Sequence, residues 1–180
     1  MPATPRVVFA AFRSNDEPML LSWMRFRDLV HTADSVGPRR QPEQRQPTQQ
    51  PVASTRTAPG HSGVWRVLAS NNRELGRSSQ SYASFEQAKA HVLHLQSRHD
   101  ELVVTAVVGP QPGLYGWLLE HDGVPVITCG RWYAPSSSRD TAVSTVAALR
   151  DAVITEAPRS SLDSLRRSTG RRHSEAVAPW

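Results

Sequence analysis

The sequence predicts an α+β fold: tandem ββα repeats forming a largely antiparallel sheet, with two helices on one face and disordered segments at either side. Three observations carry this expectation. Between residues 63 and 156, short β-branched or aromatic runs alternate with stripes of helical period, in the order β-β-α-β-β-β-α. A unit of Trp, strand, polar turn, strand, Tyr-Ala and Ser occurs twice, with Trp-to-Tyr spacings of 17 and 16. Residues 37–62 and 157–180 are dominated by Gln, Pro, Ser and Arg, a composition that buries too little apolar surface to offset ordering entropy.

Residues 1–36 form an N-terminal extension with two candidate elements. Val7 to Phe12 has the character of a buried strand. Pro18 to Val30 reads as a helix opened by Asn15 or Asp16. A lone strand and helix cannot build a core. Three outcomes stay open: docking on the middle domain, binding a partner, or weak order. Exposed Leu20, Trp23, Met24 and Leu29 would make such a helix adhesive.

The first repeat unit opens at Trp65 and closes at Tyr82, with Asn71-Asn72-Arg73 as a three-residue turn. Ser84 then caps a helix, Gln87 lies three residues on, and Phe85, Ala88, Val92 and Leu95 form its apolar stripe. Leu102 to Val108 follows as a strand ended by Gly109-Pro110. The second unit runs from Trp117 to Tyr133, and Asp122-Gly123 suits a two-residue type I′ turn. Ser137 or Ser138 caps the last helix, whose stripe is Ala142, Val146, Leu149 and Val153.

At Trp65, Ala69, Asn72, Ser78, Tyr82 and Ala88, and again at Trp117, Gly123, Cys129, Tyr133 and Ala142, the chain resembles the YegP-like family. These are small prokaryotic domains of unknown function, often tandem ββα repeats. The resemblance covers residues 63–155. Arg73 stands where the family's turn has Gly, and three extra residues precede the second helix. The resemblance implies a fold and no established enzymatic activity or cofactor.

Composition narrows the function classes. The 180 residues contain no apolar run near the 18 residues of a membrane span, and one cysteine cannot form an internal disulfide. Both points favour a cytoplasmic protein without membrane partners. The net charge of +5 invites a nucleic-acid reading, but it divides unevenly. Residues 1–62 carry eight Arg against five acids, and residues 157–180 five Arg against two, giving +3 each. Residues 63–156 hold eight basic and nine acidic residues, giving −1. A near-neutral domain lacks the basic groove that backbone binding needs.

Candidate chemistry is sparse. Cys129 and His121 lie too far apart along their hairpin for a nucleophile and base, so the thiol reads as a packed residue. His91 and His94 have a metal-pair spacing, and His99 follows, but no carboxylate or cysteine completes a set. No phosphate loop or nucleophile elbow occurs. No catalytic, cofactor-binding or metal residue is therefore assigned. The expected function is a non-catalytic binding or scaffold domain acting by protein–protein contact or homodimerisation. Its candidate contact residues are Arg77, Arg131, Trp132 and Tyr133. The alternative is a nucleic-acid-associated accessory protein using the sheet aromatics and basic tails, and a small enzyme comes third. In the tail, Ser168 and Ser174 each follow an Arg pair and are candidate phosphorylation sites.

Overall fold

A computed structural model of the chain describes residues 4–36, 62–156 and 159–160. The predicted linker, 37–62, and tail, 157–180, lie outside them except for Ser62, Arg159 and Ser160. The fold is α+β, with three helices and a mostly antiparallel sheet. In chain order the elements are β1 (Arg6–Phe12), α1 (Pro18–Thr32), β2 (Ser62–Leu68), β3 (Glu74–Ser78) and α2 (Phe85–Ser97). A 3₁₀ turn (His99–Glu101), β4 (Val103–Val108), β5 (Tyr115–His121), β6 (Val124–Thr128), α3 (Pro135–Asp151), β7 (Val153–Ile154) and β8 (Arg159–Ser160) complete it. The strands lie in the order β4-β5-β6-β3-β2-β1-β7, and β8 also pairs with β1.

The N-terminal elements take the docked alternative. β1 runs antiparallel to β2 in full register, from Arg6 opposite Leu68 to Phe12 opposite Ser62. Its other side pairs in parallel with β7 and β8. Val7, Val8, Phe9 and Phe12 are all buried, as a strand covered on both faces requires.

The two helices expected on one face, α2 and α3, do share a face, where Gln96 of α2 donates to the Leu149 and Ala152 carbonyls at the end of α3, and α1 is a third helix on the opposite face. A Cβ on Gly76 would meet Trp117 Cη2 at 2.8 Å and Thr145 Cγ2 of α3 at 3.1 Å, so Trp117 points to the α3 side. Its neighbour Gly116 points the other way, where Trp132 packs, and Trp132 meets Phe26 of α1 with ring centroids 5.4 Å apart. α1 therefore crosses the face opposite α3. Leu20 and Trp23 seal it against Phe12 and Val64 in a second apolar cluster.

Local rules explain most boundaries. Ser84 accepts a hydrogen bond from the Gln87 amide at 3.2 Å and caps α2. Asp122 and Gly123 have φ of 52° and 75° and close the β5–β6 hairpin between His121 and Val124. The β2–β3 turn is one residue earlier than predicted: the Ala69 amide bonds the Arg73 carbonyl at 2.8 Å, with Asn72 at φ 64°. α1 and α3 also start differently. Pro18 and Pro135 occupy their first turns after Glu17 and Ala134, and neither helix has a side-chain cap.

Candidate interaction surface

The corner where the chain leaves β6 gathers the predicted contact residues. β3 places Arg77 opposite Thr128 of β6. A bulge in β3 between its pairing to Val67 and to Leu68 resets the alternation, so Glu74 joins Arg66 and Arg77 on one face. Glu74 Oε1 accepts from Arg77 Nε at 2.6 Å, and Glu74 Oε2 lies 3.3 Å from Arg66 Nη1. Gly130 presses on this ion group, since a Cβ there would fall 2.6 Å from Glu74 Oε1 and 3.1 Å from Arg77 Nη2. Arg131, the next residue, is exposed and sets its guanidinium 5.1 Å from the centre of the Tyr133 ring.

Arg77, Arg131 and the Gly130 corner are thus brought together, while the aromatics serve packing. Tyr133 is buried, and its backbone exchanges two 2.8 Å hydrogen bonds with Tyr115. Burial raises its phenol pKa. Trp132 is half-buried between Gly116 and Phe26. Trp65 and Trp117, which would have to stack bases in a nucleic-acid reading, are 0% and 1% exposed.

A second surface was not among the residues singled out from the sequence. β4 is an outer strand of the sheet and exposes Val103, Val104 and Val108 at 60%, 41% and 43%. Among the described residues, only the segment after α1 pairs with its outer side. The Val36 amide bonds the Ala106 carbonyl, and the Val108 amide bonds the Asp34 carbonyl, both at 2.8 Å. Antiparallel alternation then turns the Val104 N–H and C=O outward as well, away from β5. The signal in the sequence was the density of valine in this run. It reads as a buried strand until its edge position is known.

Cys129 sits in a wholly buried position, and burial pushes its thiol pKa up to about 11. Its Sγ is 3.5 Å from the Trp117 amide, so the sulfur fills a backbone-facing position and is closed to substrate. Ser78 Oγ stands in the same relation to the Trp65 amide, at 3.3 Å.

The histidines are placed apart in function. His91 Nδ1 hydrogen-bonds the Tyr82 hydroxyl, which also accepts from Trp65 Nε1 at 3.0 Å. Burial pushes the Tyr82 phenol up to about 12, and it lowers the His91 pKa. His94, exposed, meets His121 edge to face at 5.3 Å, and His121 Nε2 lies 3.1 Å from Glu101 Oε2. Among the described residues, no group of three or more His, Cys, Asp or Glu side chains converges to hold a metal ion. No described helix is long and apolar enough to cross a membrane. Ser168 and Ser174 lie outside the described residues. No family model, curated protein or solved structure matches this chain.

Proposed function

We propose that the protein is a non-catalytic interaction module that works by protein–protein contact, with a second copy of itself as the partner at β4. The observation that carries this reading is the first half of β4, before the stretch that residues 34–36 pair with, where Val103 and Val104 are exposed and the outward-turned Val104 backbone groups have no partner among the described residues. An unpaired strand edge of this kind is a template for strand addition. Two copies of β4 in antiparallel pairing about Val104 present identical groups to each other, the self-complementarity of a twofold interface. The exposed Arg131 and the partly exposed Arg66 and Arg77 lie elsewhere on the same sheet and offer a charged rim to a larger partner.

Two observations support this reading over its competitors. A buried thiol held protonated to about pH 11 is a poor nucleophile. Burial of Trp65, Trp117 and Tyr133 withdraws three of the rings on which base stacking would depend. The tandem ββα resemblance and the cytoplasmic setting belong to the same proposal. In support of the first, the Trp65–Ser78 and Trp117–Cys129 contacts are alike. The lone cysteine supports the second. Amide hydrogen exchange of the full chain tests the edge directly. The Val104 amide is expected to exchange more slowly at high protein concentration than at low, with nuclease treatment making no difference. Exchange independent of concentration contradicts the self-pairing.

A further inference from the structure

Three arginines on the sheet face opposite α3 gather around a single carboxylate. Arg66 of β2 and Arg77 of β3 are cross-strand partners, and Glu74 lies between their guanidiniums. Arg77 turns both Nε, at 2.6 Å, and Nη2, at 2.5 Å, to Glu74 Oε1, while Arg66 offers Nη1 to Oε2. Arg131 follows Gly130, the residue packed against this ion group. Its guanidinium lies over the Tyr133 ring, and it has no acidic partner among the described residues. Tyr133, whose phenol pKa is raised chiefly by burial, is within electrostatic reach of both Arg131 and Glu74.

Three positive charges thus face one negative charge, and the surplus is at the surface. The Arg66 and Arg77 side chains are 43% and 20% exposed, and Arg131 is exposed. A guanidinium has five N–H donors, and Glu74 engages only part of each set. The Arg77 Nη1 and the Arg66 Nε and Nη2 groups have no partner among the described residues. Such groups bind further carboxylates through charge-assisted, bidentate hydrogen bonds. The surplus is also local. Residues 63–156 sum to −1, so a long polyanion laid along the domain meets repulsion beyond the cluster, whereas a short acidic segment does not.

We propose that this cluster is the docking site for an acidic peptide segment of a partner protein, whose carboxylates pair with Arg66, Arg77 and Arg131 around Glu74. The proposal rests on the reading of the protein as a protein–protein contact module. It does not rest on self-pairing at β4, which β5 and β6 separate from the cluster.

Fluorescence anisotropy of the full chain with a fluorescein-labelled oligoglutamate peptide tests it. The parent chain should bind the peptide. R66Q/R131Q should bind it at least about tenfold more weakly, the effect of losing two exposed ion pairs of ordinary strength. R171Q/R172Q removes the same charge from the tail and should weaken binding less than about twofold at physiological ionic strength, where distant exposed charges are screened. V104P, which blocks pairing at β4, should bind as the parent does, so a failure of the β4 dimer leaves this result standing. Both double variants should keep the near-ultraviolet dichroism of the parent. A parent chain that does not bind the peptide overturns the proposal. So do equal losses in the two double variants, which would reduce the effect to net charge. An oligothymidylate of equal charge that binds more tightly than the peptide, and loses that affinity in R66Q/R131Q, would make nucleic acid the partner and overturn it as well.

Discussion

Cys129 and the buried histidines make opposite uses of burial. The thiol loses its charged form to desolvation, with its pKa pushed up to about 11, so at neutral pH it stays protonated and unreactive. The folded protein should therefore resist iodoacetamide at neutral pH and react only after denaturant is added. Rapid modification of the native chain would contradict this placement. His31 and His91 are both lowered from the ordinary value of 6.5, chiefly by burial. The unfolded chain then binds more protons than the folded one as pH falls from 6.5 towards the folded values. Stability from these two residues is complete above that window and is lost as the solution is acidified through it. Scanning calorimetry between about pH 7 and pH 5 should show a falling Tm, with a shallower fall in H91Q. A flat profile would contradict the burial of both rings. The packed role of Cys129 was readable from the sequence, because hairpin spacing alone separates it from His121. The Glu74 bridge between Arg66 and Arg77 was not, since it depends on a bulge that no spacing rule announces.

Helix α2 behaves as its sequence dictates, and α3 does not. The Ser84 cap, with Ala88, Val92 and Leu95 buried behind it, follows from residue type and period. S84A should lower stability by about 1 kcal/mol in denaturant titration, the usual value of one cap bond. An unchanged midpoint would show that the bond carries no weight. In α3 the buried face includes Ser138, Thr141 and Thr145, so an apolar stripe is an incomplete guide. Their hydroxyls bond within hydrogen-bond range of backbone carbonyls: Thr141 to Ser137 at 2.6 Å, Thr145 to Thr141 at 2.7 Å and Ser138 to Gly116 at 3.3 Å. Satisfied in this way, small polar residues pack closely against the sheet. Val153, expected on the same helix, instead falls in β7 and is exposed, because α3 ends at Asp151. β1 was legible as a strand from Val7 to Phe12. Its place between β2 and β7 was not, because sheet order arises from contacts distant in sequence.

At the scale of the molecule, residues 63–156 and the N-terminal elements share one sheet. Removing residues 1–36 would strip β1 from the centre of the β2–β7 side and uncover Trp65 and Val67, while loss of α1 would uncover Val64. Each large apolar side chain so exposed costs about 1.5–3 kcal/mol, and the net stability of a domain is only about 5–15 kcal/mol. Residues 63–156 alone should give a molten or aggregated product, seen as collapsed dispersion in a nitrogen–proton correlation spectrum. A well-dispersed spectrum would restore the smaller domain boundary. The same sheet ends at β4, whose open edge is the basis of the proposed association. Val104→Pro removes the outward N–H there and leaves the β4–β5 ladder untouched, since proline is tolerated on an edge. Sedimentation velocity of the full chain over a wide concentration range is the most direct measurement. The expected result is a reversible monomer–dimer equilibrium that Val104→Pro abolishes without loss of fold. A parent chain that stays monomeric up to about 1 mM, the limit of weak specific contacts, would contradict it.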